Sequence, residues 1–135
     1  MFTQIGISQI YVLDQDAALD FYVGKLGLEI RTDIDLGFMR WLTIGVPGDS
    51  REILLEKPGG PMMDTLTTEH VRQLVAKGAA GGWLISHTPD CRTTYQTLLQ
   101  RGVEMTKEPM ERDYGIDCAG REPFGNHFRI TQPRT

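Results

Sequence analysis

Cysteine is nearly absent from this chain. Its 135 residues include only Cys91 and Cys118, too few for a disulfide framework and without C-x-x-C spacing. Both read as buried, reduced thiols, and the cytoplasm is the expected compartment. Long apolar runs are missing too. No window approaches the roughly eighteen apolar residues of a membrane-crossing helix, so no membrane partner is expected. The opening Met1-Phe2-Thr3-Gln4-Ile5-Gly6-Ile7 has neither the basic n-region nor the apolar h-region of a secretory leader. Basic charge is in deficit: 14 Lys+Arg stand against 18 Asp+Glu, a formal −4. Arg101, Arg112, Arg121, Arg129 and Arg134 are scattered and form no run, so no nucleic-acid partner is expected.

What is present is an ordinary globular composition, 40% hydrophobic and 24% charged, unlike that of disordered chains. The length fits one domain, or two half-size repeats sharing one core. Surface scaling buries about two-thirds of the unfolded area in a chain of this size, enough for a core without staples.

The pattern along the chain repeats. Residues 5–12 alternate and are rich in β-branched side chains, which predicts a strand. Asp16 is read as the N-cap of a helix over 17–25, with Ala18, Phe21, Tyr22 and Leu26 on one face and Gly27 as its stop. Leu28-Glu29-Ile30 resumes a strand. The same grammar returns in the second half. Residues 82–86 read as a strand, and Pro89-Asp90 opens a helix whose Cys91, Tyr95, Leu98 and Leu99 form one stripe. Gly102 stops that helix, and Val103-Glu104-Met105 follows. Further strands are predicted at 38–46, 52–57, 115–119 and 127–132. Each half thus reads β-α-β-β-β, which suggests duplication. The expected organisation is a first module over 1–58, a linker over 59–81 with a short helix at 68–77, and a second module over 82–135.

This plan resembles the vicinal oxygen chelate superfamily, which includes glyoxalase I, extradiol dioxygenases, fosfomycin-resistance thiol transferases and bleomycin-resistance proteins. The matching residues are Tyr11-Val12-Leu13-Asp14, Leu19-Asp20-Phe21-Tyr22, Leu26-Gly27-Leu28 and the turn Arg121-Glu122-Pro123-Phe124-Gly125-Asn126. The turn is similar to the family's D-P-x-G-N, with Glu for Asp. The resemblance implies an α+β fold of two β-α-β-β-β modules, each a mixed sheet curled into a half-open cup that takes a small ligand. It also implies a homodimer, for which Phe38, Met39, Trp41, Met62 and Met63 offer spare apolar surface.

Metal-using members are expected to place a His or Gln at the position of Ile7, a His at that of Trp83 and a Glu at that of Arg129. Ile has no lone pair, an indole only donates, and a guanidinium is a permanent cation. Glu56 or Glu52 could match a fourth ligand. The family's usual metal site is therefore absent from the sequence, and no cofactor is expected. A shifted set of His87, His127 and Glu56 remains open as an alternative.

The candidate ligand pocket is Ile7, Gln9, Tyr11, Trp41, Glu56, Trp83, His87, Tyr114, His127 and Arg129, aromatic walls with a few polar heads. Arg129 on an inward face needs a partner. It either pairs with Glu56 or awaits a ligand anion. Trp41 and Trp83 are either packing residues or stacking platforms. The run 111–115 is a solvated strand entry, or a flap carrying Tyr114 over the cup mouth. The first functional reading is a metal-free protein that captures a small metabolite or antibiotic, with no catalytic residue. The alternatives are a metal-dependent glyoxalase-type lyase or dioxygenase using the shifted ligands, and a metal-free enzyme using Glu56 and His87 as acid and base.

Overall fold

The structure, a computed structural model, describes residues 1–81 and 84–135. In chain order the elements are β1 (Ile7–Tyr11), α1 (Gln15–Tyr22), β2 (Glu29–Asp35), β3 (Arg40–Gly45), β4 (Glu52–Glu56), α2 (Thr65–Ala76), β5 (Leu84–His87), α3 (Cys91–Gln100), β6 (Glu104–Arg112), β7 (Gly115–Arg121) and β8 (His127–Pro133). The strands form two four-stranded sheets, ordered β1-β4-β3-β2 and β5-β8-β7-β6. In each sheet the first strand pairs parallel with the last and the other pairings are antiparallel. The repeated grammar is thus a repeated topology, and the α+β fold of paired mixed sheets is present.

The helices begin where side chains satisfy their free N–H groups. For α1 the cap is Asp14, not Asp16: its carboxylate accepts from the Ala17 N–H at 2.8 Å. The reason lies in Gln15, whose buried Nε2 donates to Leu55 O at 2.8 Å and Arg40 O at 3.1 Å and so pins the first turn to the sheet. Asp16 instead meets Arg40 at 2.7 Å. The linker helix starts earlier than its apolar face suggested, because Asp64 caps it through the Thr67 N–H at 2.6 Å.

Each sheet turns one face to its helix. Ile10, Val12, Leu42, Ile44 and Leu55 pack with Ala18, Phe21 and Tyr22, and Cys118, Phe128 and Ile130 pack with Cys91 and Leu98, in one continuous core. The halves are joined by the Phe21 and Phe128 rings, 5.9 Å apart, and by the Asn126 side chain donating to Tyr11 O at 2.8 Å. The Cys91 and Cys118 thiols lie buried 3.6 Å apart. Burial raises both pKa values, that of Cys118 to about 12, so these thiols are core groups and poor nucleophiles. Among the described residues no helix is long and apolar enough to cross a membrane.

Candidate functional site

Strand register decides which side chains occupy the faces turned away from the helices. Partners across a ladder point to the same side, and neighbours along a strand point to opposite sides. In the first sheet Ile7, Gln9 and Tyr11 pair with Glu52, Leu54 and Glu56, Leu54 pairs with Thr43, and Ile34 pairs with Trp41. The sequence-predicted residues Ile7, Gln9, Tyr11, Trp41 and Glu56 therefore share one open face. The register also assigns both carboxylates: Glu56 stands beside Tyr11, and Glu52 accepts from the Thr43 hydroxyl at 2.7 Å.

Near the end of β4, Glu56 borders an open recess of about 380 Å³ with Phe38, Met39, Gly60 and Met62. Phe38 and Met62 are exposed. These residues were expected as dimer surface and not as pocket lining. The missed signal was the Pro58-Gly59-Gly60-Pro61 turn, which brings Met62 back beside the β2–β3 connection.

In the second sheet Ile85, Arg129 and Ala119 stand in one row, with His87, Thr131 and Asp117 in the next. Arg129 alternates with the core residues Phe128 and Ile130 and so lies on the open face. His87 and His127 share this face. His127 lines up with Arg121, its ring close to Gly78. Trp83 lies outside the described residues.

The expectation that Arg129 pairs with Glu56 is corrected. Arg129 Nη1 donates to Asp117 Oδ2 at 2.8 Å. Glu56 belongs to the other sheet, whereas Asp117 sits diagonally across the β7–β8 ladder. Tyr114 donates to the same Oδ2 at 2.5 Å, and Arg112 Nε meets Oδ1 at 3.4 Å. Burial raises the Asp117 pKa, but the Tyr114 hydroxyl and the Arg129 and Arg112 guanidiniums outweigh it and hold the carboxyl below its usual range. Tyr114 is thus tied to the strand by its hydroxyl and does not stand as a flap. Its pKa is raised, first by that hydrogen bond and then by burial.

The Asp117 side chain is 5% exposed and that of Arg129 27%, so removing either alone strands a largely desolvated charge. In a double-mutant cycle between Arg129→Ala and Asp117→Ala, the coupling measured by denaturant unfolding is expected to exceed about 1 kcal/mol. The same cycle between Arg129 and Glu56 should give none.

The donor chemistry does not fit the family's metal. Ile7 offers no ligand, and the guanidinium of Arg129 stands where the resemblance expects a carboxylate. Glu56 is on one sheet and His87 and His127 on the other. Among the described residues no group of three His, Cys, Asp or Glu side chains is placed to hold a metal ion. The shifted set of Glu56, His87 and His127 is not assembled.

Comparison with known proteins agrees with this architecture. The sequence model of the Glyoxalase/Bleomycin resistance protein/Dioxygenase superfamily matches residues 4–130. The uncharacterized protein YurT of Bacillus subtilis (strain 168) is 30% identical over 131 residues, covering 96% of this chain and 98% of YurT. The crystal structure of UcmS2 is 40% identical with a TM-score of 0.90, over 97% of this chain and 98% of that one. TnmS3, an antibiotic binding protein from Streptomyces sp. CB03234, is 25% identical with a TM-score of 0.78, over 98% of both chains.

Proposed function

The chain belongs to the Glyoxalase/Bleomycin resistance protein/Dioxygenase superfamily, and from that premise we propose that it captures a small metabolite or antibiotic on its open sheet faces without a resident metal. The observation that carries this reading is the Arg129–Asp117 pair: a cation, already engaged, stands where the family's metal carboxylate is expected. The open faces combine exposed apolar side chains, Ile7, Ile34 and Ile85, with a few polar heads, a composition suited to small-molecule recognition. The antibiotic-binding likeness of TnmS3 supports the same class of ligand.

The functional unit in this proposal is a cytoplasmic homodimer. Phe38 and Met62 are exposed in the single chain, apolar surface beside the recess that a second copy can cover. Light scattering is expected to give twice the 15.2 kDa chain mass at micromolar concentration. A stable monomer would count against the dimer.

A thermal-shift panel of fused-ring compounds, anionic, neutral and cationic, tests the binding itself. A ligand well above its Kd stabilises by RT ln(1 + [L]/Kd), which means several degrees in a domain of this size. At least one member is expected to give such a shift, and Zn²⁺, Ni²⁺ and Mn²⁺ none. A metal-dependent shift that disappears in His87→Ala would overturn the metal-free reading in favour of a lyase or dioxygenase.

A further inference from the structure

The two open faces differ in sign. The first carries Glu52 and Glu56 beside Ile7, Gln9 and Tyr11. The register rows of the second carry Arg129, Arg121, Lys107 and Arg112 against Asp117 and Glu104. A cationic face on a chain of net charge −4 is a local feature that overall composition does not produce.

At its centre one carboxylate holds two guanidiniums. Asp117 Oδ2 takes Arg129 Nη1 and the Tyr114 hydroxyl, and Oδ1 takes Arg112 Nε. A guanidinium has five N–H donors and no acceptor. Asp117 engages one nitrogen of each, and the Tyr114 hydroxyl oxygen is a second acceptor for Arg129. The side chains of Arg129 and Arg112 are 27% and 38% exposed, so neither is sealed from solvent. The cluster keeps a net positive charge, and Asp117 restrains both forks. Apolar surface adjoins it directly: Ile85, 63% exposed, is the register partner of Arg129, and Met110, 53% exposed, is that of Asp117. Cationic forks beside exposed hydrocarbon complement an amphipathic anion.

We propose that Arg129 and Arg112, oriented by Asp117, form an oxyanion-binding site for a carboxylate borne by an aromatic or otherwise apolar small molecule, whose hydrocarbon part lies against Ile85 and Met110. The proposal rests on the small-molecule reading above and names its ligand class. Arg129 binds the oxyanion through the N–H donors that Asp117 and Tyr114 leave over, with the planar donor geometry that lysine cannot reproduce. Asp117 is a positioning residue: it fixes the fork and lowers the charge that must be desolvated on binding.

The test uses 2-naphthoate and its neutral counterpart 2-naphthamide, titrated calorimetrically at neutral pH and low salt. The carboxylate is expected to bind about tenfold tighter or more, as charge-assisted hydrogen bonds allow. Arg129→Met should abolish that preference, so that 2-naphthoate and 2-naphthamide bind the variant with equal affinity. Should Arg129→Met fold poorly by circular dichroism, the double variant Arg129→Met with Asp117→Asn removes the stranded carboxylate and should show the same loss. Equal affinity for the two probes in the unmodified protein, or a preference that survives in the folded variant, overturns the oxyanion site and leaves the small-molecule reading standing. Binding of neither probe overturns the oxyanion site; failure of the whole thermal-shift panel as well would overturn the small-molecule reading.

Discussion

Gly125→Ala is expected to destabilise the protein by about 3 kcal/mol or more, lowering Tm by about 10 °C in a chain of this size. Two independent effects converge there. Gly125 has φ +122°, a backbone conformation that a Cβ disfavours. An added Cβ would also stand 2.3 Å from Val75 O and 2.6 Å from Ala76 O, the carbonyls ending α2. Val75 O cannot easily withdraw, because it already accepts from Gly78 N at 2.9 Å in the turn that ends the helix. The variant must lift α2 from the second sheet or distort the turn feeding β8. Gly27→Ala is the control: φ is +79° but an added Cβ meets nothing within 4 Å, so only the backbone penalty of roughly 1 kcal/mol applies. Equal losses by thermal melting would show that the contact with α2 contributes nothing.

That contact also marks what the sequence could and could not convey. The duplicated strand–helix–Gly–strand grammar is local, carried by apolar periodicity and stop signals within about thirty residues, so the α+β fold and its repeat were legible. So was the membership of Ile7, Gln9 and Tyr11 in one face, since alternation along a strand needs no partner. Pairings between distant segments were not legible. The parallel register that puts Glu56 beside Tyr11 joins strands separated by a helix and a hairpin, and periodicity leaves it free. Arg129 was recognised as needing a counter-charge, but the nearest carboxylate in the family scheme, Glu56, lies on the other sheet. Its actual partner, Asp117, had a usable signal: the turn 122–126 sets the hairpin so that Arg121 faces His127, and counting back brings Asp117 diagonal to Arg129. Asp14 rather than Asp16 caps α1 because Gln15 is anchored to Arg40 and Leu55, long-range contacts with no local trace.

Glu122→Ala is expected to cost about 3–5 kcal/mol, and Glu122→Gln much less. Glu122 is buried, and its Oε1 accepts from the Phe124 and Asn126 N–H groups, both at 2.8 Å. Its Oε2 accepts from the Tyr22 hydroxyl at 3.3 Å, a bond across the two halves of the chain. Alanine would orphan two backbone donors and the Tyr22 hydroxyl together, whereas glutamine keeps an acceptor for the turn. Burial raises the Glu122 pKa above its ordinary value, and the Asn126, Phe124 and Tyr22 donors offset that only in part. Burial, with the Glu122 charge adding to it, also pushes the Tyr22 pKa up, so the phenol stays protonated and donating. The linkage has a definite sign. A carboxyl with a raised folded pKa binds its proton more tightly when folded, so its favourable contribution is complete below the unfolded value near 4.5 and is lost as pH rises through the folded value. Asp117 works oppositely: its lowered pKa contributes stability above about 3.8 that is lost as pH falls through the folded value. Urea unfolding from pH 4.5 upward should therefore contain a component that weakens with pH and disappears in Glu122→Gln. The acid-side loss below about 3.8 should persist in Glu122→Gln and shrink in Asp117→Asn. If Glu122→Gln leaves the upper slope intact, the carboxylate at the hinge between the halves is not the titrating group. If Glu122→Ala costs under about 1 kcal/mol, the turn before β8 does not depend on this carboxylate for its backbone hydrogen bonds.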